Sequence, residues 1–154
     1  MAEIVDQQSV LDKIRQFRPL WRLLLATPGT LQGTLSAYFG APITIEVVSQ
    51  DIRGGRICRA VNLVCRSRDM VVCRAETEIS VENEEIRRMI EDKDIGLGRI
   101  IAMLNVPANF ELDKVGRQNG TFWRNYRLSG DGFEYAIREE FPMLLYADIH
   151  GEGA

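Results

Sequence analysis

The chain has 154 residues, of which 45% are apolar and 27% charged, and its formal net charge is -3. This length and apolar content suit one domain with one core, so we expect residues 1–154 to form a single domain. The balance of charges gives no basic surplus for nucleic acid or an anionic membrane. No segment approaches the roughly 20 apolar residues of a membrane helix, and the N-terminus lacks a secretory leader, so we expect a cytoplasmic protein.

The first 40 residues predict helices. Apolar residues recur at helical spacing over residues 9–26, and Pro19 divides this segment into two helices. Thr30 is a candidate cap for a third helix, which runs to about Tyr38 and stops at Gly40.

The pattern then changes to alternating segments rich in β-branched residues, which predict strands. Two helical segments, 82–91 and 96–104, interrupt them and supply apolar stripes for one sheet face. The predicted strands cover residues 43–51, 57–66, 70–79, 109–116, 121–128 and 133–146. This order predicts an α+β fold, with a six-stranded antiparallel sheet and helices covering one face.

Cysteine and histidine usage argues against metal or redox chemistry. Cys58, Cys65 and Cys73 lie in strand-like segments without CxxC spacing, which is typical of reduced core thiols. His150 is the only histidine and lies near the C-terminus, where a catalytic triad or zinc site is hard to build. We therefore expect no metal site.

Two charged residues break the alternation of the predicted strands. Arg59 shares a strand face with Val61 and Leu63, and Glu139 shares one with Ile137. Burying an unpaired ion costs several kcal/mol, so these residues need each other, a ligand, or both. A structural salt bridge across the sheet interior, or a strand at the sheet margin where both charged groups reach water, is one explanation. The other is a ligand pocket in which Arg59 binds a carboxylate and Glu139, kept partly protonated by its apolar face, meets a ligand oxygen.

Two predicted helix starts offer backbone N–H groups to an anion. Segment 96–99, which includes Leu97 and Gly98, opens one helix, and segment 27–31, which ends in Leu31, opens another. Glycines at such junctions also serve simply to permit a turn, and this alternative stays open.

A third group of residues combines aromatic and basic side chains. Arg124, Tyr126 and Arg127 lie beside Phe122 and Trp123, a combination seen in nucleic-acid binding. The acidic composition and the lack of a ribonucleoprotein motif argue against that function. We expect no nucleic-acid partner.

Three segments in order, CRAVNLVCRSRDMVVCRAETEI, DIGLGRII and GRQNGTFWRNYRLSGDGFEYAIREEFP, give the chain a resemblance to the chorismate pyruvate-lyase family over about residues 20–142. The resemblance implies conversion of chorismate to 4-hydroxybenzoate and pyruvate without metal or organic cofactor. It also implies a pocket covered by helical flap segments on the antiparallel sheet.

The resemblance further implies roles for individual residues. Arg59 holds the ring carboxylate, and Glu139 meets the oxygen at the cleaved ether. Backbone amides at Leu31 and Leu97, next to Gly98, complete carboxylate binding. Arg74, fifteen positions after Arg59, matches a second arginine of the family.

Two other functions remain open. The same fold serves as the non-catalytic effector domain of some transcription regulators, so the chain could bind a small aromatic acid without turnover. A scaffold in a larger assembly is the other, and it requires an exposed apolar patch. The sequence leaves undetermined whether the protein is a monomer or a homodimer.

Overall fold

A computed structural model describes residues 3–28, 31–91 and 95–147 of the chain. The predicted cap Thr30 and the histidine His150 lie outside these residues. The fold is α+β, with a six-stranded antiparallel sheet and helices, as the sequence predicts.

The N-terminal helices follow the sequence pattern closely. Pro19 lies at the first position of the second helix, where its missing N–H group costs nothing. Gly40 has a φ of +65°, the left-handed conformation that ends a helix. The α-helices in the described residues are α1 (Gln7–Ile14), α2 (Pro19–Ala26), α3 (Leu31–Phe39), α4 (Glu84–Glu91) and α5 (Leu97–Leu104).

The strands form one sheet in the order β1-β5-β6-β7-β4-β3-β2. The strands in the described residues are β1 (Glu3–Val5), β2 (Ile43–Arg53), β3 (Arg56–Cys65), β4 (Met70–Val81), β5 (Ala108–Gln118), β6 (Thr121–Gly130) and β7 (Phe133–Pro142). Neighbours among β2 to β7 are antiparallel, whereas β1 pairs with β5 in parallel.

The structure differs from the sequence prediction at three places. The short strand β1 joins the sheet edge, although three residues are too few to show a periodic pattern. The last strand ends at Pro142, and a short 3-10 helix (Met143–Tyr146) replaces its predicted continuation. The strand predicted at 57–66 ends at Cys65, and a 3-10 helix (Arg66–Arg68) followed by Asp69 in the left-handed conformation leads into the next strand.

The sheet has one buried face and one wetter face. Along β6 the buried positions alternate from Phe122 to Leu128, and the residues between them are half-buried. Apolar residues from all five helices, such as Leu24, Leu35 and Ile86, complete the core above the buried face. None of the helices in the described ranges has the length and apolar character needed to cross a membrane.

Two buried tyrosines provide a test of this core. The Tyr135 hydroxyl has no hydrogen-bond partner in the described part of the chain, whereas the Tyr146 hydroxyl donates to the Val72 carbonyl. We expect Tyr135→Phe to leave the free energy of unfolding unchanged or raise it by about 1 kcal/mol, since a buried unpaired hydroxyl is unfavourable. Tyr146→Phe should lower it by about 1 kcal/mol. Urea denaturation of the two variants measures both effects. Equal effects would contradict the assignment of a hydrogen bond to the Tyr146 hydroxyl and of none to the Tyr135 hydroxyl.

The same tyrosines predict a loss of stability in alkali. Burial raises the pKa of both hydroxyls above the ordinary value of 10.0. A phenol with a raised pKa in the folded state favours folding below the unfolded value and loses that contribution as the pH rises above it. The unfolding free energy should therefore fall between about pH 9 and pH 11, and Tyr135→Phe should reduce that fall.

Candidate functional site

A cavity of about 450 Å³ lies between the buried sheet face and the helices, within the range typical of small-molecule sites. Its sheet side is formed by inward-facing residues of β2, β3, β4, β6 and β7. Most of these are apolar or small, while Arg59, Glu139, Thr77 and Tyr126 add polar groups. The cavity thus combines an apolar body with a few directed polar groups.

Two helix starts cover the cavity. Leu31 is the first residue of α3, and Leu97 and Gly98 open α5; all three line the cavity. The first N–H groups of a helix have no partner within the helix, and its dipole favours an anion there. A Cβ atom on Gly96 would approach the Ile45 side chain to 2.6 Å, so the glycine lets α5 begin close to β2.

Glu139 lies in a buried network with two neighbours on β6. Its Oε1 accepts a hydrogen bond from Arg124 Nε at 2.7 Å, and its Oε2 accepts one from the Tyr126 hydroxyl at 2.9 Å. The side chains of Arg124 and Glu139 are 0% and 7% exposed. The contact between Arg124 and Glu139 is therefore a charge-assisted hydrogen bond with little access to water.

Arg124 also connects this network to the helices above the sheet. Its Nη1 donates to the carbonyls of Leu25 and Thr27, at 2.9 and 2.7 Å. These carbonyls end α2, in the segment that leads toward α3. Arg124 therefore fixes the cover of the cavity to Glu139 in the sheet.

Burial and charge have opposite effects on the groups of this network. Burial lowers the pKa of Arg124, but the charges of Glu139 and Tyr126 and the hydrogen bond to Glu139 outweigh it, so this pKa is raised. Burial, followed by the negative charge of Glu139, raises the pKa of Tyr126 well above its usual range. At neutral pH Tyr126 is consequently a neutral donor that holds the carboxylate in place.

Arg59 has a similar tethering role at the other helix start. It is 3% exposed, and its Nη2 and Nη1 donate to the carbonyls of Ile90 and Ile95 at 2.8 and 2.9 Å. Its Nε donates to Gln50 Oε1 at 2.6 Å. Ile90 lies in the last turn of α4, where a cation is favourable. Arg59 thus lines the cavity and also stabilises the approach to α5.

A mutual ion pair of Arg59 and Glu139, one of the explanations that the sequence allowed, is wrong. Glu139 forms its salt bridge with Arg124 instead. Arg59 pairs with Thr77 on β4, and Thr77 pairs with Ile137 on β7. Glu139 lies two residues beyond Ile137 along β7. Arg59 and Glu139 are therefore two strand spacings apart across the sheet and two residues apart along it. That arrangement places their Cα atoms roughly 12 Å apart. The two residues lie on different parts of the cavity wall, with space for a ligand between them.

The prediction of Arg74 as a binding residue disagrees with its position. Arg74 is exposed and is opposite Asn62 and Glu140, on the sheet face away from the cavity. Its neighbour Ala75 lines the cavity instead, because successive residues of a strand face opposite ways. The spacing of fifteen residues from Arg59 did not reveal this difference in side-chain direction.

Two arginines of the site were missed in the sequence. The aromatic and basic residues around Arg124 indicate only a possible nucleic-acid contact, but its alternation with Phe122 and Tyr126 places it on the inward face. The tight turn after Gly130 also places Arg124 directly opposite Glu139. Arg99 lines the cavity from the first turn of α5, and no strand pattern could have indicated that position.

The cysteines lie outside this network of hydrogen bonds. Cys65 and Cys73 are buried and Cys58 is half-buried, and all three are unoxidised thiols. Burial, followed by the charge of Glu139, raises the pKa of Cys73 well above its usual range, so that this thiol is a poor nucleophile. Within the described ranges no cluster of three His, Cys, Asp or Glu residues could hold a metal ion.

No model of a known protein family matches the chain, and neither does any curated protein.

The buried ion pair predicts unequal effects for two adjacent glutamates. Glu139→Gln leaves the Arg124 charge buried without a counterion, so the free energy of unfolding should fall by about 3–5 kcal/mol. Glu140→Gln is the matched control, because Glu140 is 41% exposed and pairs with Arg138 at the surface. It should change stability by about 0.5 kcal/mol or less. Urea denaturation measures the free energy of unfolding of both variants. A small change in that free energy for Glu139→Gln would contradict a strong ion pair between Arg124 and Glu139.

Proposed function

We propose that the chain is a chorismate pyruvate-lyase that forms 4-hydroxybenzoate and pyruvate in the cavity of about 450 Å³. The observation that carries the proposal is the grouping of two arginines, a glutamate and two helix starts around one largely apolar cavity. Chorismate is a small dianion with an apolar ring, which matches this combination of charge and shape. The sequence resemblance supports the same substrate.

Two regions of the cavity bind the two carboxylates of the substrate. Arg59 holds the ring carboxylate, and Arg99 holds the enolpyruvyl carboxylate. The first-turn amides at Leu31 and Leu97 add hydrogen bonds to these anions. The helix starts above the cavity exclude water from the ring and hold the substrate in one orientation.

The reaction breaks the bond between the ring and the ether oxygen. The ether oxygen keeps the electron pair of that bond, and the neighbouring ring carbon, which carries the hydroxyl group, loses its hydrogen as a proton. The ring becomes aromatic, and the enolpyruvyl fragment takes up a proton to become pyruvate. Formation of the aromatic ring supplies the driving force, so little acid–base equipment is needed.

Glu139 acts in this scheme as a hydrogen-bond acceptor. Arg124 and Tyr126 donate to its two oxygens and hold both of them in place as acceptors. A carboxylate has acceptor capacity for a further hydrogen bond from the ring hydroxyl of the substrate.

A second candidate is a binding domain for a small aromatic acid. The observation that favours it is the same network, because both Glu139 oxygens already accept hydrogen bonds and Arg59 already tethers α4. Such a site binds 4-hydroxybenzoate through the same groups but has no turnover.

Incubation of the purified protein with chorismate separates the two candidates. A lyase releases 4-hydroxybenzoate and pyruvate in equal amounts, which absorbance and a lactate dehydrogenase assay detect. Binding of 4-hydroxybenzoate without either product would favour the binding domain. Neither turnover nor binding would overturn both.

Arg99→Gln tests the cavity without disturbing its core, because Arg99 is exposed at the surface end of the cavity. Loss of one charged hydrogen bond should raise the KM for chorismate about tenfold. Arg88→Gln is the control: it removes an exposed charge on α4 that does not line the cavity, and its KM should match the wild type. Equal KM values for the two variants would remove Arg99 from the site.

A further inference from the structure

A second cavity, of about 640 Å³, shares no lining residue with the first. Four arginines line it, together with the aromatic residues Phe17 and Trp21, and we call it the arginine cleft. The arginines are Arg15, Arg18, Arg22 and Arg117. Among the described residues no carboxylate lines this cleft, although the chain as a whole is acidic.

Trp21 gives the cleft a rigid floor. It is 4% exposed, and its indole Nε1 donates to the Tyr146 carbonyl at 2.9 Å. Its ring stacks on Phe122, with centroids 4.4 Å apart and planes 8° apart. Trp21 is therefore fixed by the same core that holds the sheet.

Two of the arginines rest on this floor. The Cζ atom of Arg18 lies 4.5 Å from the centroid of the Trp21 ring, and that of Arg117 lies 4.6 Å from the centroid of Phe17. Stacking uses the face of a guanidinium and leaves N–H groups at its edge for an anion. The aromatic floor thus positions both cations before any ligand arrives.

The charge of the cleft is poorly compensated. Arg15 forms a salt bridge with Asp12 at 3.1 Å, whereas the hydrogen bonds of Arg22 and Arg117 go to the neutral carbonyls of Phe17 and Gln16. In the described part of the chain no salt bridge involves Arg18, Arg22 or Arg117. Packing on aromatic rings explains where two of these side chains lie, but it does not explain why four arginines line one cleft.

We propose that the arginine cleft binds the phosphate or pyrophosphate group of a soluble small molecule. A phosphate group carries up to two charges and several acceptor oxygens, and a pyrophosphate carries more of both, so several guanidiniums can bind one such group at once. A single carboxylate compensates only one of them. The site is independent of the chorismate proposal, because it uses none of the residues of the first cavity.

Calorimetric titration of the full chain with inorganic pyrophosphate at low salt tests this site. We expect saturable binding of the wild type and at least about tenfold weaker binding by each of Arg18→Gln and Arg117→Gln, since each loses charged hydrogen bonds. Arg88→Gln removes one exposed charge elsewhere and should bind like the wild type. Thermal unfolding of each variant without ligand should remain cooperative, which separates lost binding from lost folding.

Three results would overturn the proposal. The first is no saturable binding of pyrophosphate by the wild type. The second is equal weakening by Arg88→Gln, which would show attraction to net charge alone. The third is binding of hexaglutamate or of vesicles containing phosphatidic acid without binding of pyrophosphate, because an acidic peptide or a membrane surface would then be the partner. Loss of chorismate turnover has no bearing on these results.

Discussion

The buried ion pair of Arg124 and Glu139 is the interaction on which the site depends. Two charges without access to water are tolerated only where each has hydrogen-bond partners. Arg124 donates to one carboxylate and two carbonyls, and Glu139 accepts from a guanidinium and a phenol. The pair lies directly across β6 and β7, in the centre of the sheet. It therefore fixes one wall of the cavity and the charge on that wall.

Two buried arginines perform related tasks on the two sides of the cavity. Arg124 donates hydrogen bonds to the carbonyls at the end of α2, ahead of α3. Arg59 donates hydrogen bonds to the carbonyls of Ile90 and Ile95, ahead of α5. A guanidinium can do this because its five N–H groups spread in a plane and bind several acceptors at once. The helix starts that cover the cavity are consequently fixed to the sheet by hydrogen bonds to its buried side chains.

This arrangement links stability to ligand binding. Arg59 stabilises a helix end and also lines the cavity, and Glu139 balances Arg124 while offering acceptor capacity to a ligand. Substitution of either residue therefore changes folding and binding together. Arg99 lies at the exposed end of the cavity and makes a cleaner probe of binding.

The elements of the fold were largely predictable from local pattern. Period-two alternation located six strands and showed that Arg59 and Glu139 face inward, and Pro19 and Gly40 marked helix ends because their backbone preferences are local properties. The same alternation, extended to β6, could have placed Arg124 inside. The short strand β1 and the 3-10 helix after Pro142 were not predictable, since three or four residues carry too little pattern.

The sequence by itself determined the α+β class, the strand faces and the two inward charges, because those follow from the spacing of neighbouring residues. Only the tertiary structure decided which charges meet. Strand order separates Arg59 from Glu139 by two strand spacings and places Arg124 beside Glu139. The physical reason is that the partner of a buried charge depends on contacts across the sheet and between the sheet and the helices. These contacts are set by the fold of the whole chain.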